Sequence, residues 1–211
     1  VLVRASDGAR AIRFVRSTSV ALTPEEIDAD LVLSHRIVHT NGRHPEACLA
    51  AAELCASSGG ATRLAFDGGA GRYRDDLLPL MAKAELPIVA LDFATQSTGC
   101  PDPQAAAVRL AELCPKAQLV GITDGANGSW IFPKGGDAFH QAAFPADPVI
   151  DTTGCGDVYH GAFLHALDRG LDLRAAAELA SKAGARAATA LGGRGALPIQ
   201  EGDDPSSPQI P

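Results

Sequence analysis

Short aliphatic runs alternate with helical stretches along most of this chain, and that alternation limits the fold more than any other feature. Residues 62–67, 87–92 and 118–123 read as strands. Between them lie patterns with helical spacing. Residues 44–60 predict a helix with Pro45 in its first turn and Gly59-Gly60 at its end. Residues 75–84 predict another, and residues 102–114 a third, capped by Asp102. Thr23 and Glu26 form a capping-box pattern that predicts a helix start, and residues 31–39 read as a buried strand following it. Residues 129–133 and 138–144 predict a hairpin turning at Lys134-Gly135-Gly136, and two helices are expected near 154–169 and 173–190. Strands alternating with helices imply an α/β fold, a three-layer α/β/α sandwich with a mainly parallel sheet covered on both faces.

The ends read differently. Residues 1–16 predict a β-hairpin around Asp7-Gly8. It carries Arg4, Arg10, Arg13 and Arg16 against one acid. A solvated two-stranded edge is one reading; a lid whose arginines face an anionic or polyhydroxyl ligand is the other. The expected organisation is a hairpin lid remnant over 1–20, a nucleotide-binding α/β domain over 21–198 and a loose polar tail over 199–211. The chain opens on Val1, without an initiator methionine, in what reads as a strand, so an N-terminal part is expected to be missing.

Bulk composition excludes several classes. With 18 Lys+Arg against 25 Asp+Glu the chain is acidic, which argues against a nucleic-acid partner. No apolar run approaches the ~20 residues needed to span a bilayer, so no membrane partner is expected. Cys48, Cys55, Cys100, Cys114 and Cys155 are odd in number and lack C-x-x-C spacing, which predicts reduced thiols and a cytoplasmic location.

The segment that carries chemistry is Asp151-Thr152-Thr153-Gly154-Cys155-Gly156-Asp157. A Gly-x-Gly that opens a helix presents backbone N–H groups without helical partners at the positive end of the helix dipole. That is an anion site suited to phosphate. Asp157, in the first turn, cannot bind phosphate by charge, but it can take a proton from a hydroxyl attacking that phosphate.

This string resembles the D-T-x-G-A-G-D signature of the ribokinase-like (PfkB) carbohydrate kinases, with Cys155 where Ala is usual. The resemblance covers roughly residues 1–198. It implies that Asp157 is the catalytic base and that the amides of Gly154, Cys155 and Gly156 form the anion hole. Thr123, Gly125 and Gly128 fall in a segment similar to the family's V-T-x-G-x-x-G turn along ATP. Ala183, Gly184 and Ala187, with the later turn Gly192-Gly193-Arg194-Gly195, resemble the small-residue helix and closing turn beside the adenine; close Ala-based helix packing is the other reading. Gly42-Arg43-His44-Pro45-Glu46 resembles the G-R-N-x-x-E segment of the ketohexokinase and fructose-kinase-like branch, which implies that Arg43 reaches the ATP phosphates. Ala90 and Phe93 stand where many ribokinases carry N-x-x-E linked to magnesium, and Asp92 between them is either a water-holding acid near Mg²⁺ or a helix cap. The resemblance places Asp151 beside a monovalent cation such as K⁺; a loop or N-cap carboxylate is the alternative. It puts Arg10 and Arg13 over the sugar.

The expected activity is therefore ATP-dependent phosphorylation of a sugar hydroxyl, with ATP, Mg²⁺ and a monovalent cation as cofactors. The hairpin is compatible with a homodimer. A nucleoside or vitamin-precursor kinase of the same fold, and a nucleotide-binding protein without kinase activity, are the alternatives.

Overall fold

A computed structural model describes residues 20–195, together with the backbone of two short strands at 2–3 and 10–11. Those strands, β1 (Leu2–Val3) and β2 (Arg10–Ala11), pair antiparallel with Val3 opposite Arg10, as the hairpin reading requires. The Asp7-Gly8 turn, Arg13 and the tail lie outside the described residues.

The first helix departs from expectation. Pro24–Glu26 makes one 3₁₀ turn, in which the Glu26 carboxylate accepts the Thr23 N–H at 2.8 Å. Ile27 then takes extended backbone, and the helix starts afresh as α1 (Ala29–Leu33), where Asp28 accepts from the Leu31 N–H at 3.0 Å. Leu31, Val32 and Leu33 thus belong to a helix, and the strand read over 31–39 shortens to β3 (Ile37–Thr40). A side-chain cap completed locally outweighs the β preference of an aliphatic triplet. β3 is also an edge strand and only half-buried.

The remaining elements are α2 (Pro45–Ser57), β4 (Arg63–Gly68), α3 (Leu78–Met81), β5 (Leu86–Ala90), α4 (Leu91–Thr98), α5 (Pro103–Leu113), β6 (Leu119–Thr123), β7 (Ser129–Pro133), β8 (Phe139–Gln141), α6 (Cys155–Asp168) and α7 (Leu173–Ala187). Asp102 caps α5 as expected, accepting the Ala105 N–H at 2.8 Å. α4 was not anticipated. It follows β5 without a turn and has Ala90, which offers no side-chain acceptor, as its N-cap. Burial of Phe93 and Ala94 holds it instead.

The six strands run in the order β3-β4-β5-β6-β7-β8. β3 to β6 are parallel, and β7 and β8 extend the sheet as an antiparallel hairpin. Successive residues in a strand face opposite sides, so each strand feeds two cores. Leu64, Phe66, Val89, Val120 and Ile122 pack against α2, α3, α4 and α5. Ala65, Leu86, Ile88, Leu119 and Ile131 pack against α6 and α7. This is the three-layer sandwich with a mainly parallel sheet.

Candidate active site

In an open parallel sheet, ligands bind off the carboxyl ends of the strands. Here that edge gathers the turn after β3, the turn after β6 and the N-terminus of α6.

Gly154 sets the entry to α6. Its φ is +79°, and a Cβ there would stand 2.7 Å from the Cα of Gly193. Any other residue would be strained and would push the two loops apart. The first helical i→i−4 bond at this end is Val158 N–H to Gly154 C=O at 2.9 Å. The Cys155 N–H donates over a long 3.4 Å to Thr152 C=O, and the N–H groups of Gly156 and Asp157 precede the first position at which helix geometry supplies a carbonyl. Asp157 itself is exposed. A row of amides and a solvent-accessible carboxylate therefore share one turn.

Asp151 is built in the opposite way. It is 2% exposed, and its carboxylate accepts the Thr153 N–H at 2.8 Å and the Gly192 N–H at 2.9 Å. It ties the loop before α6 to the turn after α7. The Ala188 carbonyl adds to that joint by accepting from Ile150 at 2.8 Å and Asp151 at 3.2 Å. Thr153 Oγ1 lies buried nearby without a hydrogen-bond partner among the described residues.

α7 lies directly on α6. A Cβ on Gly184 would meet the Cys155 carbonyl at 3.5 Å. Ala187 is buried, and Ala183 is half-buried beside it in the chain. Small residues thus let α7 approach the first turn of α6 closely. The β6–β7 turn is closed by Asp124 N–H to Gly128 C=O at 2.8 Å. Gly128 has φ +91°, and a Cβ on it would overlap the Gln141 carbonyl. Gly125 is exposed, and Thr123 is half-buried at the end of β6. Ser129, the next residue, accepts from the Tyr159 hydroxyl at 2.9 Å, which couples this turn to α6. Burial pushes the Tyr159 phenol up to about 12, so it stays a donor at neutral pH.

Arg43 is exposed in the turn after β3, on the same edge of the sheet. Asp92 is in the first turn of α4, where it accepts the Gly71 N–H at 2.6 Å and a Gln96 Nε2–H at 2.9 Å. It clamps the loop after β4. Phe93 is fully buried in the far core, so the position where many ribokinases carry a glutamate serves packing here. Arg10 is a β2 residue; Arg13 is not described.

Three residues escaped the sequence. His39 of β3, Asp67 of β4 and His160 of α6 bring potential ligand atoms within 4.8 Å of one another, below the first turn of α6. The available signal was faint: a polar residue at the carboxyl end of two adjacent parallel strands, and a histidine one turn after Asp157.

An α/β sandwich with a glycine-opened helix and an acid in its first turn is an arrangement that can hold an anion such as phosphate. The family model for pfkB family carbohydrate kinases matches residues 1–200, and the chain belongs to that family. It is 32% identical over 116 residues to a ribokinase from Bacillus subtilis, covering 52% of this chain and 38% of that protein. It is 28% identical over 175 residues to a 5-dehydro-2-deoxygluconokinase from Shouchella clausii, covering 75% of this chain and 52% of that one. The structure of aminoimidazole riboside kinase from Salmonella enterica, complexed with aminoimidazole riboside and an ATP analog, matches with a TM-score of 0.68 at 25% identity. That match covers 86% of this chain and 65% of the kinase. The chain thus spans about half the length of the curated relatives it matches. Among the described residues no helix is long and apolar enough to cross a membrane.

Proposed function

We propose that the protein is an ATP-dependent kinase that phosphorylates a sugar hydroxyl. The observation that carries this is the first turn of α6, where exposed Asp157 stands beside the amides of Gly154, Cys155 and Gly156, in a chain that belongs to a carbohydrate kinase family. The acceptor oxygen attacks the γ-phosphorus as the bond from that phosphorus to the β,γ-bridging oxygen breaks. Asp157 takes the hydroxyl proton, and ADP leaves. The three amides hold the negative charge on the transferring group, and their fixed positions in the helix start mean that little reorganisation is needed. Thr123, Gly125 and Gly128 lie along the nucleotide, Ala183, Gly184 and Ala187 form the wall beside the adenine, and Arg43 reaches the phosphates.

Mg²⁺ is carried chiefly by the ATP phosphates, as is usual for this reluctantly dehydrated ion. A monovalent cation such as K⁺ fits beside Asp151. Oxygen donors are at hand there: a buried carboxylate whose oxygens can each take more than one partner, and the buried Thr153 hydroxyl. Arg10 and Arg13 belong to a lid over the acceptor, and the same hairpin offers a homodimer clasp.

The test is a panel of neutral sugars, anionic sugars and nucleosides, offered with ATP to the full-length protein. A neutral ketose or aldose is expected to turn over best. Asp157→Asn is expected to lower kcat by ~10²–10⁴-fold with ATP affinity nearly unchanged. Turnover confined to nucleosides would move the acceptor to a riboside. An Asp157→Asn variant within about threefold of wild type would remove the base assignment.

A further inference from the structure

The polar group beneath α6 has no task in that reading. His39 and Asp67 project from the same side of the sheet as Ala65 and Ile88, toward α6. Asp67 is 8% exposed and His160 is 4% exposed. His160 Nδ1 lies 2.7 Å from the Gly156 carbonyl oxygen. Its Nε2 lies 3.1 Å from the Ile88 carbonyl oxygen and 3.7 Å from Asp67 Oδ1.

Every one of those partners is an acceptor. A backbone carbonyl cannot donate, so each ring nitrogen needs its own N–H. A neutral imidazole has only one. In either tautomer the other nitrogen would face an oxygen lone pair inside the protein, where unmatched polar groups are costly. The doubly protonated ring satisfies both carbonyls, and Asp67 supplies the opposite charge that burial demands.

We propose that His160 is a buried imidazolium, balanced by Asp67, that serves as a positioning residue for phosphoryl transfer by charging the Gly156–Asp157 peptide from behind. The Gly156 carbonyl and the Asp157 N–H belong to one peptide unit. A charged donor on the oxygen draws electron density from the amide and makes its N–H a stronger donor to anything bound at the helix start. The cation also sits in a low-dielectric interior below the point where the transferring group collects negative charge. The groups facing His160 are His39 from β3, Asp67 from β4, the Ile88 carbonyl from β5, and Tyr159 and Asp157 from its own helix. His39 is an exposed residue, yet its ring, with its centroid 5.5 Å from that of His160, is held below the ordinary histidine pKa, first by lost hydration and then by the neighbouring His160. Asp67 and Asp157 oppose that shift. Of the two rings, His160 is the one whose nitrogens both face carbonyl acceptors, so the geometry assigns the extra proton to it. A transition metal would also find two imidazoles and a carboxylate here, but only by taking His160 from a carbonyl that already holds it.

The proposal rests on the kinase reading for its consequence, though not for its first measurement. Two-dimensional ¹H–¹⁵N spectra of the histidine rings in the full-length protein are expected to show both His160 nitrogens protonated at neutral pH. Asp67→Asn is expected to leave only one. His160→Gln keeps a donor and loses the charge; kcat is expected to fall about 10- to 100-fold with KM for ATP within about threefold. Wild-type kcat is expected to decline at the alkaline pH where the ring proton is lost, and that limb is expected to vanish in the variant. Asp67→Asn, should the glutamine variant misfold, is expected to move the alkaline limb to lower pH. A singly protonated His160, an unchanged pH profile in both variants, or zinc bound stoichiometrically through His39 and His160 would each overturn the proposal. If wild type and variants all fail to phosphorylate any acceptor, the kinase reading falls and takes the positioning role with it.

Discussion

On the side of the sheet covered by α2 to α5, Phe66 and Tyr73 each meet Phe93 edge-on, with ring centroids 5.7 and 5.4 Å away. Leu64, Leu77, Leu80, Met81 and Leu110 complete a dry core around them. On the side covered by α6 and α7, the aliphatic core is thinner and Ala-rich, and buried polar groups run through it: Asp67 with His160, Ser129 with Tyr159, and Ser181 donating to the Ala142 carbonyl at 3.2 Å. Both faces belong to one sheet, so their strands share a backbone and differ only in which alternate residue they present. The dry face touches the site at the turn after β3, where Leu77 and Leu80 pack under Gly42. On the wet face, two of these polar groups, Asp67 with His160 and Ser129 with Tyr159, involve the helix that carries Asp157.

The sharpest way to break this division is Phe93→Ala. Removing a fully buried ring is expected to cost about 3–5 kcal/mol of stability by denaturant titration. Turnover per folded molecule is expected to stay within about twofold, since α4 lies against the far face. A large drop in kcat in the folded fraction would mean that the far core also sets the geometry of α6.

Tyr159→Phe tests the wet face more gently. The ring stays, stacked near Phe163 at 6.1 Å, but Ser129 loses its partner while only 1% exposed. The expected loss is about 1–3 kcal/mol, the cost of an unsatisfied buried hydroxyl. Because Ser129 begins β7 directly after the β6–β7 turn, KM for ATP is expected to rise more than kcat falls. A stability loss with KM unchanged would separate that turn from the nucleotide.

The same division explains what could be read before any coordinates. Asp102 capping α5, Pro45 opening α2 and the Gly-x-Gly at α6 are signals completed within four residues, and they appear where expected. The error over residues 23–39 came from two caps in competition. Thr23 with Glu26 closed only one 3₁₀ turn, and Asp28 then started the true helix. α4 was invisible because it has no capping side chain and exists through the burial of Phe93 and Ala94, a tertiary effect. Within the site, Gly154 and Asp157 were legible because backbone conformation and helix position are local. The partner of Gly154 was not, since Gly193 arrives from beyond α7. His39, Asp67 and His160 come from three elements, and only parallel pairing of β3 with β4 and the placement of α6 beneath their ends bring them together.

The smallest effect is expected at Cys155, and it sharpens the contrast within the site itself. This residue opens α6, where its backbone belongs to the first turn of the helix and its half-buried side chain donates to the Asp151 carbonyl at 4.0 Å. Cys155→Ala keeps the amide, suits a helix start at least as well, and is expected to leave kcat within about twofold of wild type. The place of the thiol can still be read by bulk. Cys114 is buried and its thiol is pushed up to about 12, so near pH 8 it holds almost no thiolate and resists alkylation. Cys55 is buried and shifted upward as well, while Cys48, Cys100 and Cys155 are half-buried and more reachable. Iodoacetamide is expected to inactivate the wild type, with ATP slowing the loss, and to spare Cys155→Ala. An alanine variant that is both fully active and equally sensitive to the reagent would put the vulnerable thiol at Cys48 or Cys100 and leave the turn of Cys155 uncrowded by bound nucleotide. A large fall in kcat in the alanine variant would give the sulfur itself a role, and a contribution of Cys155 through its backbone alone would be ruled out.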